Sequence, residues 1–357
     1  MAFTTDSILT PENTERPAFY VEAGKITRTN AAARQRQFCD GAAICDLLET
    51  GGEEYSSYKD GMLALTLRCE DVVYHAVVIR QEACDLFLLE SDYSQPELKA
   101  LALASMHLRE PLSNAISQAD LLLPNNALQS DPELRKQLEM INRSLYQLQR
   151  AVSNMSDAAR YHSNKHVAIE TRDAVAIFCE VLEKAAALTQ HGGRELQFKC
   201  SLQPVFCLVN EELLERAILN LISNAGKYAA KDTPISAKLT KSGSQLCFTV
   251  ENDGPHDAGS NLFLRFLREP GLEDSRNGIG LGLSIVRSAA AAHGGTVLIE
   301  QTAAGGFRIT MTLRIRCNQD NMLRTPVQLP YDYAGGRDHA LVELSNILPP
   351  SLYGETC

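Results

Sequence analysis

Two consecutive stretches of heptad spacing constrain this chain more than any other feature of its sequence. Leu98, Leu101, Ser105, Leu108, Leu112, Ala115, Ala119 and Leu122 step by alternating threes and fours, the a/d seam of a helix that has to pack against another. The run Leu121-Leu122-Leu123-Pro124-Asn125-Asn126 stops it. Asp131-Pro132 restarts it, a capping residue followed by Pro at the first helical position. Leu134, Leu138, Ile141, Leu145, Leu148, Val152 and Met155 then repeat the seam. Two helices of about 30 Å or more joined by a short loop make an antiparallel hairpin. Such a hairpin cannot bury both seams alone, so the expectation is a homodimer in which two hairpins form a four-helix bundle.

What flanks the hairpin differs in kind. On the N-terminal side, Ala18-Phe19-Tyr20-Val21 and Lys25-Ile26-Thr27-Arg28 read as two strands turned at Gly24, and Asn30 caps an Ala-rich helical turn through Arg34. Met62 to Cys69, Val72 to Ile79 and Ala83 to Leu89 read as a three-stranded meander. On the C-terminal side, Val167 to Ile169 reads as a short strand. Thr171 is the expected cap of a helix through Val175, Phe178, Leu182 and Ala186 that ends at His191-Gly192-Gly193. Strands follow at Leu196 to Leu202 and Val205 to Leu208, and a long helix starts at Glu211. Leu246 to Glu251 is a strand that ends in Asn252-Asp253-Gly254-Pro255. Next comes Asn277 to Val286, NGIGLGLSIV, which leads into a helix closed by His293-Gly294-Gly295. Its alternating glycines let backbone approach a phosphate closely, and the N–H groups at the start of the helix form an anion site. Thr296 to Glu300 and Phe307 to Ile315 read as a closing hairpin, and a helical patch from Asp338 to Leu348 sits in a Pro-punctuated tail that docks on a neighbour. The expected fold class is therefore α+β multidomain, divided at residues 1–90, 91–165, 166–316 and 317–357.

In that order, the C-terminal pieces resemble the N, G1, F and G2 boxes of the histidine-kinase catalytic domain, an α/β sandwich of the Bergerat ATP-binding type. Ser105-Met106-His107-Leu108-Arg109-Glu110-Pro111-Leu112 resembles the H-box of sensor histidine kinases, so the likeness spans residues 95 to 316. The opening FYVEAGKITRTNAAA resembles that of a PAS domain, which implies a PAS-like module receiving a small-molecule or protein stimulus. The resemblance implies ATP and Mg²⁺ as cofactors and a response-regulator receiver domain as partner. Asn220 and Asn224 share one helix face, where amide oxygens suit a hard, oxygen-preferring ion; Asn224 is the expected metal ligand. Lys227 and Tyr228 follow one turn on, facing phosphate oxygens with a charge and a hydroxyl. Asn252 stands where the family has an adenine-reading Asp, with Gly254 after it; Asp253 is a second candidate one residue out of register. Gly278, Gly280, Gly282 and Leu283 match the G2 box. Phe263 and Phe266 read as packing for the intervening lid.

Two departures from the family matter. Met106 occupies the phosphoacceptor position and His107 the place of the adjacent acid, so His107 is the acceptor candidate, with Glu110 one turn on as the carboxylate that would orient the imidazole and take its second proton. His256 replaces the second glycine of the G1 box. The leading expectation is a protein histidine kinase of a two-component phosphorelay, located in the cytoplasm. Two alternatives stay open: a nucleotide-binding pseudokinase or scaffold, and a serine kinase of the same fold.

Charge and composition narrow the remaining classes. A net charge of -10 disfavours a nucleic-acid surface or a polybasic membrane tether. No apolar run approaches the roughly 20 residues of a membrane span, and the first residues lack the pattern of a secretory signal. Ten scattered cysteines without a C-x-x-C pair read as reduced, buried thiols.

Overall fold

A computed structural model describes residues 10–81, 83–89, 95–123, 131–161, 169–230, 232–254, 281–316, 334 and 336–354; at residues 95–99, 101, 158–161 and 281 it describes backbone only. The N-terminal module contains β1 (Ala18–Glu22), β2 (Lys25–Thr27), α1 (Ala31–Gln35), β3 (Leu48–Thr50), α2 (Gly52–Ser57), β4 (Met62–Cys69), β5 (Val72–Arg80) and β6 (Asp85–Leu89). Asn30 caps α1 as its residue type requires, its side chain accepting from the N–H of Ala33 at 2.9 Å. β3 and α2 escaped the sequence reading because both are short and neither alternates cleanly.

The hairpin is α3 (Gln95–Leu122) and α4 (Pro132–Tyr161). Asp131 caps α4, its Oδ1 accepting from the N–H groups of Glu133 and Leu134. The helices run antiparallel, with Asn142 donating to Asp120 at 3.3 Å. Leu112, Ile116, Ala119, Leu123, Leu138 and Val152 are buried, whereas Leu108, Leu122, Leu134, Ile141 and Leu148 are exposed. One row of each heptad seam is thus covered and the other is open.

The C-terminal half adds β7 (Glu170–Asp173), α5 (Ala174–His191), β8 (Leu196–Cys200), β9 (Phe206–Val209), α6 (Glu211–Tyr228), β10 (Ile235–Ser242), β11 (Gln245–Asn252), α7 (Leu281–Ala292), β12 (Val297–Gln301), β13 (Phe307–Arg314) and α8 (His339–Glu343). The cap of α5 is Asp173 rather than Thr171. Thr171 is instead a strand residue paired with Leu208, because the Asp173 carboxylate accepts from both Val175 and Val205 and so ties helix start to strand start. Helices pack on one sheet face through contacts such as Phe178 on Phe248, centroids 4.9 Å apart.

The two halves share one sheet, in the order β2-β1-β6-β5-β4-β12-β13-β11-β10-β8. β4 has two partners along its outer edge. β3 covers the end at Thr66 and Leu67, and β12 covers the other through the pairs Met62↔Ile299, Leu63↔Leu298 and Ala64↔Val297. Both open strand edges are thereby satisfied. Glu54 of α2 seals the join, accepting from the hydroxyls of Thr312 at 2.9 Å and Thr296 at 3.3 Å. The sheet therefore runs unbroken across the boundary expected near residue 90. The eight described cysteines are free thiols; Cys69 and Cys207 are buried, but Cys39 and Cys45 are exposed, since they lie outside the strands.

His293 shows why α7 ends where it does. Its Nδ1 lies 2.6 Å from the Ala289 carbonyl and its Nε2 accepts from the Asn210 N–H at 2.9 Å, so the ring is neutral and ties α7 to the cap of α6. Burial pushes its pKa below the ordinary 6.5, outweighing the bond to Ala289. The unfolded chain binds a proton that the folded chain refuses, so this tie holds in full above pH 6.5 and is penalised progressively as the pH falls below that value. We expect the stability advantage of the native chain over His293→Gln to shrink between pH 7 and pH 5 in parallel urea titrations, both values chosen about the ordinary histidine pKa.

Candidate nucleotide site

The site is built where α6, the start of α7 and the end of β11 meet. Asn210 caps α6 by accepting from Leu213 at 2.8 Å, and the apolar face Leu214, Ala217, Ile218, Leu221, Ile222 and Ala225 is fully buried. That register presents Asn220, Asn224 and Lys227 along the side facing α7. Asn224 is partly exposed. Its amide lies beside Gly282, where an added Cβ would sit 4.0 Å from Asn224 Nδ2 and 2.7 Å from Asn220 Oδ1. Only glycine lets the first turn of α7 come this close to α6.

Asn220 differs from Asn224 in kind. It is completely buried. Its Oδ1 accepts from Arg150 at 2.8 Å, and its Nδ2 donates to the Arg216 carbonyl at 2.9 Å and to Glu343 at 3.1 Å. Both polar atoms of its amide are engaged by protein groups, which leaves Asn224 as the accessible amide of the pair.

Lys227 places its ammonium 5.5 Å from the Tyr228 ring centroid, and that ring packs edge-on against Phe307 at 6.0 Å. Leu283 is buried in the core under α7. Beyond α6 the chain is fastened to the end of β11, with the Ala230 N–H donating to the Asp253 carbonyl at 2.7 Å. Gly254 follows with its backbone against Gly306. Asp253 faces outward, whereas Asn252 is 1% exposed. Neither amide atom of Asn252 has a hydrogen-bond partner among the described residues. A buried primary amide offering one donor and one acceptor is what an adenine edge pairs with. The residues present therefore fit a purine nucleotide, with Asn224 an oxygen donor suited to Mg²⁺. Gly278, Gly280, His256, Phe263 and Phe266 lie outside the described residues.

The other sequence candidates lie apart on the hairpin. His107 and Glu110 are exposed on α3, as is Met106, at 71%. The helices of the C-terminal half rest mainly on α4. Sequence reasoning missed Arg150, Arg216 and Glu343, which converge on Asn220. A charged residue in an amphipathic helix reads as solvated, and no periodicity distinguishes one that turns inward.

Comparison with known proteins assigns a family to part of the chain. Residues 209–316 match the family described as histidine kinase-, DNA gyrase B- and HSP90-like ATPase. The chain is 28% identical over 242 residues to hybrid signal transduction histidine kinase D of Dictyostelium discoideum, covering 64% of this chain and 15% of that protein. It is 29% identical over 234 residues to the sensor protein KdpD of Escherichia coli, covering 62% and 25%. It is 29% identical over 182 residues to the E. coli sensor histidine kinase CpxA, covering 50% and 39%. The chain thus spans well under half the length of these relatives. Among solved structures, full-length ShkA in complex with AMPPNP aligns at 23% identity and a TM-score of 0.48, covering 62% of this chain and 46% of that one. Among the described residues no helix is long and apolar enough to cross a membrane.

Proposed function

We propose that this chain is a sensor histidine kinase of a two-component relay. It would autophosphorylate on His107 with Mg²⁺-ATP and pass the phosphoryl group to an aspartate of a response-regulator receiver domain. The observation that carries this reading is the buried amide of Asn252, which has no hydrogen-bond partner among the described residues, inside the segment that matches the ATPase family. An amide pair kept dry and unsatisfied costs about 1–3 kcal/mol, a cost that a bound adenine removes.

Each residue then has a task. Asn252 reads the adenine, with Gly254 keeping the strand end close, and Gly278, Gly280 and Gly282 let backbone N–H groups approach the phosphates. Asn224 supplies the metal's protein oxygen, Lys227 a fixed charge and Tyr228 a hydroxyl near the phosphates. Mg²⁺ would supply charge neutralisation at the phosphate oxygens. Leu283 anchors the turn from below, and Asn220 supports it from behind. One imidazole nitrogen of His107 attacks the γ-phosphorus as the bond to the ADP oxygen breaks, and Glu110 takes the proton from the other nitrogen.

The reading extends to partners. The open heptad rows, Leu108 and Leu122 on α3 and Leu134, Ile141 and Leu148 on α4, support a homodimer, because a second hairpin would cover them as a four-helix bundle. The antiparallel order β2-β1-β6-β5-β4 supports a PAS-like input module for a small-molecule or protein stimulus. A cytoplasmic site of action follows from the reaction. A second reading rests on Met106, whose exposed side chain holds the usual acceptor position: a pseudokinase that binds nucleotide and signals by conformation.

Radiolabelled Mg²⁺-ATP separates the two readings. The expected result is an acid-labile label on the native chain that His107→Ala abolishes. An acid-stable label would indicate hydroxyl phosphorylation instead. Saturable nucleotide binding without any label would leave the pseudokinase.

A further inference from the structure

The C-terminal segment 336–354 is held by unusually specific contacts, and its central residue is a fully buried carboxylate. Asp338 caps α8 by accepting from Ala340 and Leu341. The short helix then delivers Glu343 between α4 and α6. Its Oε2 accepts from Arg150 Nε at 2.9 Å and from Asn220 Nδ2 at 3.1 Å, and its Oε1 from Arg216 Nε at 3.3 Å. Arg150 also donates to Ser223 at 2.9 Å and Asn220 at 2.8 Å, and Arg216 pairs with Asp157. Two arginines face two carboxylates, so the cluster is neutral only while the tail is docked. Burial of so many charges is weak as a means of gaining stability. Its effect here is on placement.

What it places is the Asn220 amide. Arg150 takes the amide oxygen and Glu343 the amide nitrogen, which defines its orientation, and that oxygen lies where a Cβ on Gly282 would clash. The first turn of α7 is thus seated on a side chain held by the tail and the hairpin together. The small residue Gly226 continues the arrangement, since an added Cβ there would lie 2.7 Å from Ile347 Cδ1; the helix that bears Asn224 and Lys227 is shaped to receive the tail.

We propose that Glu343 and Arg150 are positioning residues of the nucleotide site: through Asn220 they set the turn at Gly282, so tail docking and nucleotide binding favour each other. This rests on the nucleotide-binding reading given above. Coupling between two binding events is reciprocal. Loss of the tail contact weakens nucleotide binding, and nucleotide tightens the tail.

Calorimetric titration with Mg²⁺-ADP, together with hydrogen exchange on the full chain, tests this. Glu343→Gln should weaken Mg²⁺-ADP about tenfold, or about 1.4 kcal/mol. Arg143→Ala is a milder probe, because Arg143 lies outside the buried cluster and donates to the tail carbonyls of Ser345 and Asn346; it should weaken binding about threefold, roughly half that energy. In the native chain Mg²⁺-ADP should slow exchange over 338–348. A merely structural tail would not produce that response. Unchanged affinity in both variants with no nucleotide effect on tail exchange overturns the positioning role. If Glu343→Gln does not fold, Arg143→Ala and the exchange measurement decide. A native chain that fails to bind Mg²⁺-ADP would instead sink the nucleotide-binding reading, and this role with it.

Discussion

Arg216→Ala is expected to lower the stability of the chain by about 3–5 kcal/mol, the usual loss on breaking a buried ion pair from one side. Arg216 is completely buried in α6 and meets Asp157 and Asn154 of α4 and Glu343 of the tail. Without it, two buried carboxylates face a single arginine. Their desolvation is uncompensated, and three elements from distant parts of the chain lose their common partner. The measurement is the urea midpoint with the slope held in view, because a reduced slope would mean partial loss of the tail and hairpin rather than a uniform loss of stability. A companion Arg216→Met/Asp157→Leu pair should recover part of the loss, since removing both members leaves one cation against one carboxylate. A single-variant loss under about 1 kcal/mol would show that the cluster is solvated and does not bind the elements together.

The second large effect is opposite in sign for stability and for binding. Asn252→Leu should weaken Mg²⁺-ADP by roughly 5- to 150-fold, the worth of about 1–3 kcal/mol for a bidentate amide–purine contact. The same change should leave the unliganded protein as stable as before, or more so by about 1 kcal/mol, because it replaces an unsatisfied buried amide with an apolar group of similar size. Calorimetry and a urea titration on one preparation suffice. If stability falls sharply while affinity holds, then Asn252 serves the fold and has a partner that the described residues do not include.

These two residues also mark what could be read in advance. The hairpin was legible because heptad spacing is a strong, long signal. β11 was legible because its apolar residues alternate inward, and β4 and β5 because each is a run rich in strand-forming residues. Asn224, Lys227 and Asn252 were singled out by their place in an ordered set of segments, and they remain proposed site residues. The cap at Asp173 was misplaced at Thr171, as both residues can cap and only the bond to Val205 chooses between them. β10 was passed over: Ile235, Ala237 and Leu239 alternate inward, but the stretch is short of strong strand formers.

Local sequence thus determined most of the elements and their periodicity, because those depend on neighbours three or four positions away. Tertiary structure decided which of two equivalent asparagines stays accessible. Asn220 and Asn224 are the same residue on the same face, yet Arg150 and Glu343, brought in from 70 and 123 positions away, engage both amide atoms of one and leave the other accessible. It also decided that β4 and β12 join two modules in one sheet. An unpaired strand edge accepts any compatible backbone, and nothing in either strand's side chains names its partner.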